Sequence, residues 1–174
     1  MAGLSAGGAM AAVMGEAYPE LYAAIGVHSG LPYGSASDVV SAFAAMRDEP
    51  GGGHPMPRLE AGGKAMPTIV FHGSADRTVH PSNADRIIAA ARARAEEGEV
   101  RRVEGRSPSG RTYTRTIALA PDGAAAAELW LIEGAGHAWS GGQAAGSYTD
   151  PAGPDASAEM VRFFLNASSR GRPQ

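Results

Sequence analysis

Near the start of the chain, Gly3-Leu4-Ser5-Ala6-Gly7 sets one serine among small residues in the pattern G-x-S-x-G. No other stretch constrains the backbone as tightly. The pattern belongs to a sharp bend between a β-strand and an α-helix, in which the central serine is strained and its Oγ exposed. Small residues on either side let strand and helix approach without collision. A chain that makes this bend needs a sheet to hold the incoming strand and helices to cover that sheet. The helical side is complete: Ala6 to Tyr18 is rich in alanine and methionine, reads as a buried helix and is ended by Pro19. On the strand side only Met1 and Ala2 precede the pattern.

The rest of the chain alternates in the same way. Tyr22 to His28 is a short apolar run closed by Ser29-Gly30, and reads as a buried strand. Ser37 or Asp38 is placed to cap a helix through Met46, after which Pro50, the glycines 51–53, Pro55 and Pro57 mark an irregular, lid-like loop over 47–66. Pro67 to Phe71 predicts a second buried strand, ending at His72-Gly73. Ser82 or Asn83 is expected to cap a helix over 84–95, with Ile87, Ile88 and Ala91 on one face. Tyr113 to Leu119 and Glu128 to Ile132 flank the turn residues Pro121-Asp122-Gly123 and predict a hairpin. Pro154-Asp155 opens a last helix, in which Met160, Phe163 and Phe164 fall at helical spacing. Strands alternating with helices imply an α/β fold with a mostly parallel sheet. The expected organisation is a single domain over 1–174, with its core over 2–166 and a frayed tail over 167–174.

Composition narrows the function. Apolar residues make up 44% and the net charge is only −3, which argues against a disordered chain and against a nucleic-acid footprint. Arg92, Arg94, Arg101, Arg102 and Arg106 cluster, but Glu96, Glu97, Glu99 and Glu104 are interleaved with them, the pattern of a solvated face. Without cysteine there are no disulfides, thiolate nucleophiles or cysteine metal sites. The apolar run over residues 1–14 has no basic residues ahead of it and is too short for a membrane span. No histidine–carboxylate cluster has metal-ligand spacing, so neither metal nor cofactor is expected.

In parallel sheets chemistry sits at the carboxyl ends of strands. Strand 67–71 is followed by Gly73-Ser74-Ala75-Asp76, and strand 128–132 by Gly134-Ala135-Gly136-His137. With Ser5 at the bend, the order along the chain is Ser, Asp, His. A serine hydroxyl becomes a useful nucleophile when an imidazole takes its proton and a carboxylate orients that imidazole. Ser5, Asp76 and His137 are therefore the candidate catalytic residues. The glycine-rich start lacks the Lys-Ser/Thr ending of a phosphate loop. Among the other histidines, His54 falls in the proline–glycine loop, and His28 and His72 end strands as hydrogen-bonded structural residues. Asp85 belongs to a helix first turn, where charge–dipole stabilisation explains it.

Several blocks carry a family resemblance: Gly-Leu-Ser-Ala-Gly-Gly-Ala-Met (3–10), Val-His-Ser-Gly-Leu-Pro-Tyr-Gly (27–34), Phe-His-Gly-Ser-Ala-Asp (71–76), Val-His-Pro-Ser-Asn (79–83), Gly-Ala-Gly-His-Ala-Trp-Ser-Gly-Gly (134–142) and Gly-Ser-Tyr-Thr-Asp-Pro (146–151). Over roughly residues 2–166 the chain resembles the polyhydroxybutyrate (PHB) depolymerase family of esterases. The resemblance implies an α/β-hydrolase fold with the triad Ser5, Asp76 and His137. It also implies hydrolysis of hydroxyalkanoate polymers or oligomers, or of related esters such as feruloyl esters, and an extracellular location. Its members carry a sizeable N-terminal portion with the first strands and a loop that supplies part of the oxyanion hole. Relative to them, this chain reads as a C-terminal portion that retains one oxyanion donor, the N–H of Ala6. The isolated chain is accordingly expected to be poorly soluble and nearly inactive. Tyr33, His80 and Trp139 are candidates to line the acyl cleft, against exposure for His80 and core packing for Trp139. A peptidase or acyltransferase on the same fold, and a non-catalytic fragment, are the alternative readings.

Overall fold

A computed structural model describes residues 1–49, 65–95 and 98–168. Its elements are β1 (Ala2–Leu4), α1 (Ala6–Ala17), β2 (Ile25–His28), α2 (Val39–Arg47), β3 (Thr68–Gly73), α3 (Ser82–Arg94), β4 (Val100–Arg106), β5 (Thr112–Leu119), β6 (Ala125–Ile132), β7 (Trp139–Ser140), β8 (Thr149–Asp150) and α4 (Ala156–Ser168). A six-stranded sheet runs in the order β1-β2-β3-β6-β5-β4. The pairs β1–β2, β2–β3 and β3–β6 are parallel, whereas β6–β5 and β5–β4 are antiparallel. β7 and β8 form a separate parallel pair. This is an α/β fold with a largely parallel sheet flanked by helices, the architecture of α/β-hydrolases.

The residues of β3 show why the sheet is covered on both faces. Val70 joins one apolar core with Ala12, Val27, Ile87, Ile88 and Leu129, beneath α1 and α3. Ile69 and Phe71 join the other with Trp130, Ile132, Met160 and Phe163, beneath α4. Alternate side chains of one strand thus enter opposite cores, so the strand reads as an unbroken apolar run. Close approach depends on small residues. A Cβ on Gly8 would lie 2.9 Å from the Gly3 carbonyl oxygen and 3.1 Å from that of His28, so a side chain there would push α1 off β1 and β2.

Several elements differ from the sequence reading. The strand entering the bend, which Met1 and Ala2 alone left unpredicted, exists as β1, paired with β2 from Ala2↔Gly26 to Leu4↔His28. β2 begins at Ile25, three residues later than expected, and β6 begins at Ala125, three residues earlier. The charged stretch becomes the edge strand β4, exposed nearly throughout. With both faces in water it shows no alternation to read, and its charges suit an edge that must not template another chain. α3 starts at Ser82 after Pro81, with no side-chain cap. Asn83 is instead buried and donates to the Ala45 and His80 carbonyls, joining α3 to α2. Asp38 does cap α2, accepting the Ser41 N–H at 2.7 Å. α4 continues through Ser168, with Ala167 buried, so helix occupies the first part of the expected tail. His54, the glycines 51–53, most of the loop 47–66, and Glu96 and Glu97 lie outside the described residues.

One buried carboxylate ties the antiparallel strands to the helical layer. Glu128 on β6 is 1% exposed and accepts from Arg115 Nε (3.1 Å) and Nη2 (2.9 Å) on β5. It also accepts from Arg162 Nη2 of α4 at 2.6 Å and from the Trp130 indole N–H at 3.3 Å. The Arg115 guanidinium lies over the Trp130 ring, 5.0 Å from its centroid. Removing the carboxylate leaves two cations against apolar surface without their counter-charge. Glu128→Ala is expected to lower stability by about 3 kcal/mol, measured by equilibrium unfolding in urea.

Candidate active site

Ser5 sits on the bend between β1 and α1 with φ 55° and ψ −118°, a conformation that a residue with a side chain rarely adopts. Such geometry costs on the order of 1–3 kcal/mol and persists where the surroundings over-determine it. Two contacts impose it. The Ser5 N–H donates to the His28 carbonyl at 2.9 Å, and a Cβ on Gly3 would fall 2.3 Å from the Gly7 carbonyl carbon. The Ser5 side chain makes no capping bond to α1, which leaves its hydroxyl uncommitted to the helix. Ala6 is the first residue of α1, and a first-turn N–H has no intrahelical acceptor.

Asp76 and His137 are brought together by the pairing of β3 with β6, which ends at Gly73↔Ile132. The loops that follow are bonded to each other. Ser74 N–H donates to the Ile132 carbonyl (2.9 Å) and Ala75 N–H to the Ala135 carbonyl (3.0 Å). The Ser74 hydroxyl donates to Glu133 (3.1 Å) and accepts the Gly134 N–H (2.9 Å). Gly73 is required there, because a Cβ would lie 2.2 Å from the Ala135 carbonyl oxygen. The result is a 2.8 Å hydrogen bond between His137 Nδ1 and Asp76 Oδ2.

The Asp76 carboxyl is buried, and burial alone would raise its pKa. Hydrogen bonds from the Val79 N–H, His137, the Thr78 N–H and Ser29 outweigh that and hold it below the usual carboxylate range. The Val79 and Thr78 N–H groups both reach Oδ1, at 2.9 Å. An ionised carboxylate only accepts, so Nδ1 of His137 carries the proton and Nε2 is left as the basic nitrogen. His72 lies 3.6 Å from Asp76 and donates from Nε2 to the Val79 carbonyl at 2.8 Å, shaping the loop that holds the acid. Its pKa is lowered, chiefly by burial. His28 is pushed down to about 3, first by burial and then by the neighbouring His72.

Residues 1–99 match the family model described as esterase PHB depolymerase. The chain belongs to that family. A poly(3-hydroxyalkanoate) depolymerase C from Paucimonas lemoignei is 32% identical over 102 residues, spanning 49% of this chain and 22% of that protein. Among solved structures, an acetyl xylan esterase from Aspergillus awamori matches with a TM-score of 0.61 at 20% identity, over 95% of this chain and 58% of that one. A PHB depolymerase from Penicillium funiculosum matches with a TM-score of 0.64 at 18% identity, over 95% and 50%. A PHB depolymerase complexed with an R3HB trimer gives 0.56 at 19% identity, over 95% and 49%. At these identities the structural matches speak for the fold. The chain spans between about a fifth and three-fifths of the length of these relatives.

Within this PHB depolymerase-family chain the three residues expected near the acyl cleft have other partners. Tyr33 lines a cavity with Ile25 and Thr68, at the amino ends of β2 and β3, opposite the edge that carries Asp76 and His137. The side chain of His80 is 54% exposed, bonds Ser82 Oγ at 2.9 Å and lies 3.7 Å from Asp48, joining α3 to the end of α2. Trp139 is half-buried, stacks on His28 with centroids 5.2 Å apart and donates its indole N–H to Ser157 of α4 at 3.1 Å. Ser29, Ser74 and the Thr78–Val79 backbone were not singled out from sequence. Ser29 follows a buried strand directly, the signal that drew attention to His28 beside it.

The buried histidines set a pH dependence. The folded pKa of His28 lies below its ordinary 6.5, so below that pH the unfolded chain takes up a proton that the folded chain refuses. Stability attributable to this group is full above pH 6.5 and falls by about 1.4 kcal/mol per pH unit down to the folded value. His72 acts in the same direction, and Asp76 adds a further loss below the ordinary carboxylate range. The urea midpoint is expected to drop steadily from pH 6.5 to pH 4, and to drop less steeply in His28→Gln.

Proposed function

We propose that this chain carries the catalytic residues of a serine esterase acting on polyhydroxybutyrate or short hydroxyalkanoate oligomers. The observation that carries the reading is the His137–Asp76 bond at 2.8 Å, at the same sheet edge as a strained Ser5. His137 Nε2 takes the Ser5 proton as Oγ attacks the ester carbonyl, and Asp76 stabilises the imidazolium. The Ala6 N–H donates to the developing oxyanion. Collapse of the tetrahedral species expels the alcohol, which takes the proton from His137 and leaves Ser5 acylated. Water, deprotonated by His137, then attacks the acyl carbon and returns free Ser5 and a hydroxy acid. Ser5 and His137 share no hydrogen bond among the described residues; such contacts often tighten only when substrate binds.

Family membership and the poly(3-hydroxyalkanoate) depolymerase relative support the substrate class. A polymer substrate also fits an extracellular enzyme, since a polyester particle outside the cell cannot reach one within it. No described helix is long and apolar enough to cross a membrane. In the intact protein, Ser5→Ala is expected to lower hydrolysis of hydroxybutyrate oligomers by at least about 10³-fold and to abolish fluorophosphonate labelling. Retained turnover would overturn the assignment of the nucleophile. Faster turnover of feruloyl esters or peptide amides than of hydroxybutyrate oligomers would overturn the substrate class.

A further inference from the structure

His28 bonds Ser5 directly and reaches the neighbours of Asp76 and His137, without being one of the reacting groups of the proposed site. Its carbonyl accepts the Ser5 N–H at 2.9 Å, on the bend. Its Nδ1 lies 3.3 Å from the hydroxyl of Ser29, one of the groups that holds Asp76. Its Nε2 is 2.9 Å from the backbone N–H of Ser140, in β7, three residues beyond His137. The tautomer follows from these contacts. A backbone N–H can only donate, so Nε2 must be the bare nitrogen and Nδ1 must carry the proton, which it directs to Ser29 Oγ. The ring is 1% exposed and packed between Phe71 and Trp139, with centroids 5.8 Å and 5.2 Å away. A protonated or rotated ring would set two donors against each other at Ser140. It would also place a charge beside His72 and His137, with only Asp76 to compensate it.

We propose that His28 is a positioning residue that sets the separation of Ser5 and His137: its carbonyl anchors the bend while its ring nitrogen anchors the strand that follows His137. The inference rests on the serine-esterase reading above. No other side chain among the described residues bonds the backbone of β7 from the strand next to the bend. Gly8 and Gly30 show how closely this region is packed: a Cβ on Gly30 would lie 2.9 Å from the carbonyl carbon of Gly8. α1 and the turn after β2 thus meet through backbone at glycine positions, beside the carbonyl that anchors the bend. An error of about 1 Å in the placement of a nucleophile and its base can cost on the order of 10²-fold in rate. Such a loss falls on kcat and leaves KM unchanged, because substrate contacts are not involved.

Two substitutions and one measurement on the unaltered protein test this. His28→Phe keeps a ring between Phe71 and Trp139 and removes the acceptor; His28→Gln restores an acceptor near the Nε2 position. In the intact protein, His28→Phe is expected to lower kcat for a hydroxybutyrate ester about 10–100-fold at unchanged KM, and the rate of fluorophosphonate labelling of Ser5 in parallel. His28→Gln is expected to recover most of that loss, whatever the melting temperatures of the two variants. Equal kcat in the two variants would overturn the proposal. In the unaltered protein, nitrogen-15 NMR is expected to show His28 as the Nδ1–H tautomer, with no titration between pH 5 and 8. An Nε2–H tautomer, or titration near 6.5, would overturn the tether without recourse to any variant. Hydrolysis retained in Ser5→Ala would overturn the esterase reading instead, and leaves the NMR result standing.

Discussion

Parallel pairing of β3 with β6, in register from Thr68↔Ala127 to Gly73↔Ile132, is the constraint from which the site follows. Parallel strands end at the same edge, so the loops after Gly73 and Ile132 leave the sheet side by side. Ser74 and Ala75 then bond Ile132, Glu133, Gly134 and Ala135, fixing each loop by the other. Asp76 and His137 meet because their loops have no independent freedom. An antiparallel arrangement of the same strands would have sent the acid and the histidine to opposite edges.

The same edge concentrates buried polar groups. His28, Ser29, His72 and Asp76 are all buried. Leaving such groups unpaired is expensive, so each contact here is also a constraint on geometry. Asp76 stays ionised because N–H and O–H donors surround it, and His28 stays neutral because burial and a neighbouring histidine oppose its charge. The strained Ser5 belongs to the same design. Its backbone is held by a carbonyl of β2 and by glycines too close to admit a side chain, so the strain at the bend is met by rigidity around it.

How much of this was legible depended on whether an element buried one face, both faces or none. β3 was readable because Ile69, Val70 and Phe71 enter cores on both sides of the sheet. β4 was not, because charges on both faces leave no pattern to detect. β6 was read short because its first residues are alanines, with little apolar surface to distinguish them. The placing of Asp76 and His137 after strands was legible, and the structure brings those two side chains into contact, whereas no strand end placed the side chains of Tyr33 and His80. Tyr33 folds back toward the amino ends of β2 and β3, and His80 is taken up by Ser82 and Asp48.

The order Ser5, Asp76, His137, each after its own strand, was determined by the sequence, and so was the glycine-lined bend that permits a strained serine. These features are local: a short apolar run, a small residue at a close approach, a turn after a strand. The tautomer of His28, the donors around Asp76 and the tether from β2 to Ser140 were decided only by the tertiary structure. They join residues far apart in the chain, and nothing in the identity of a buried histidine says which nitrogen will meet a donor once the strands have paired.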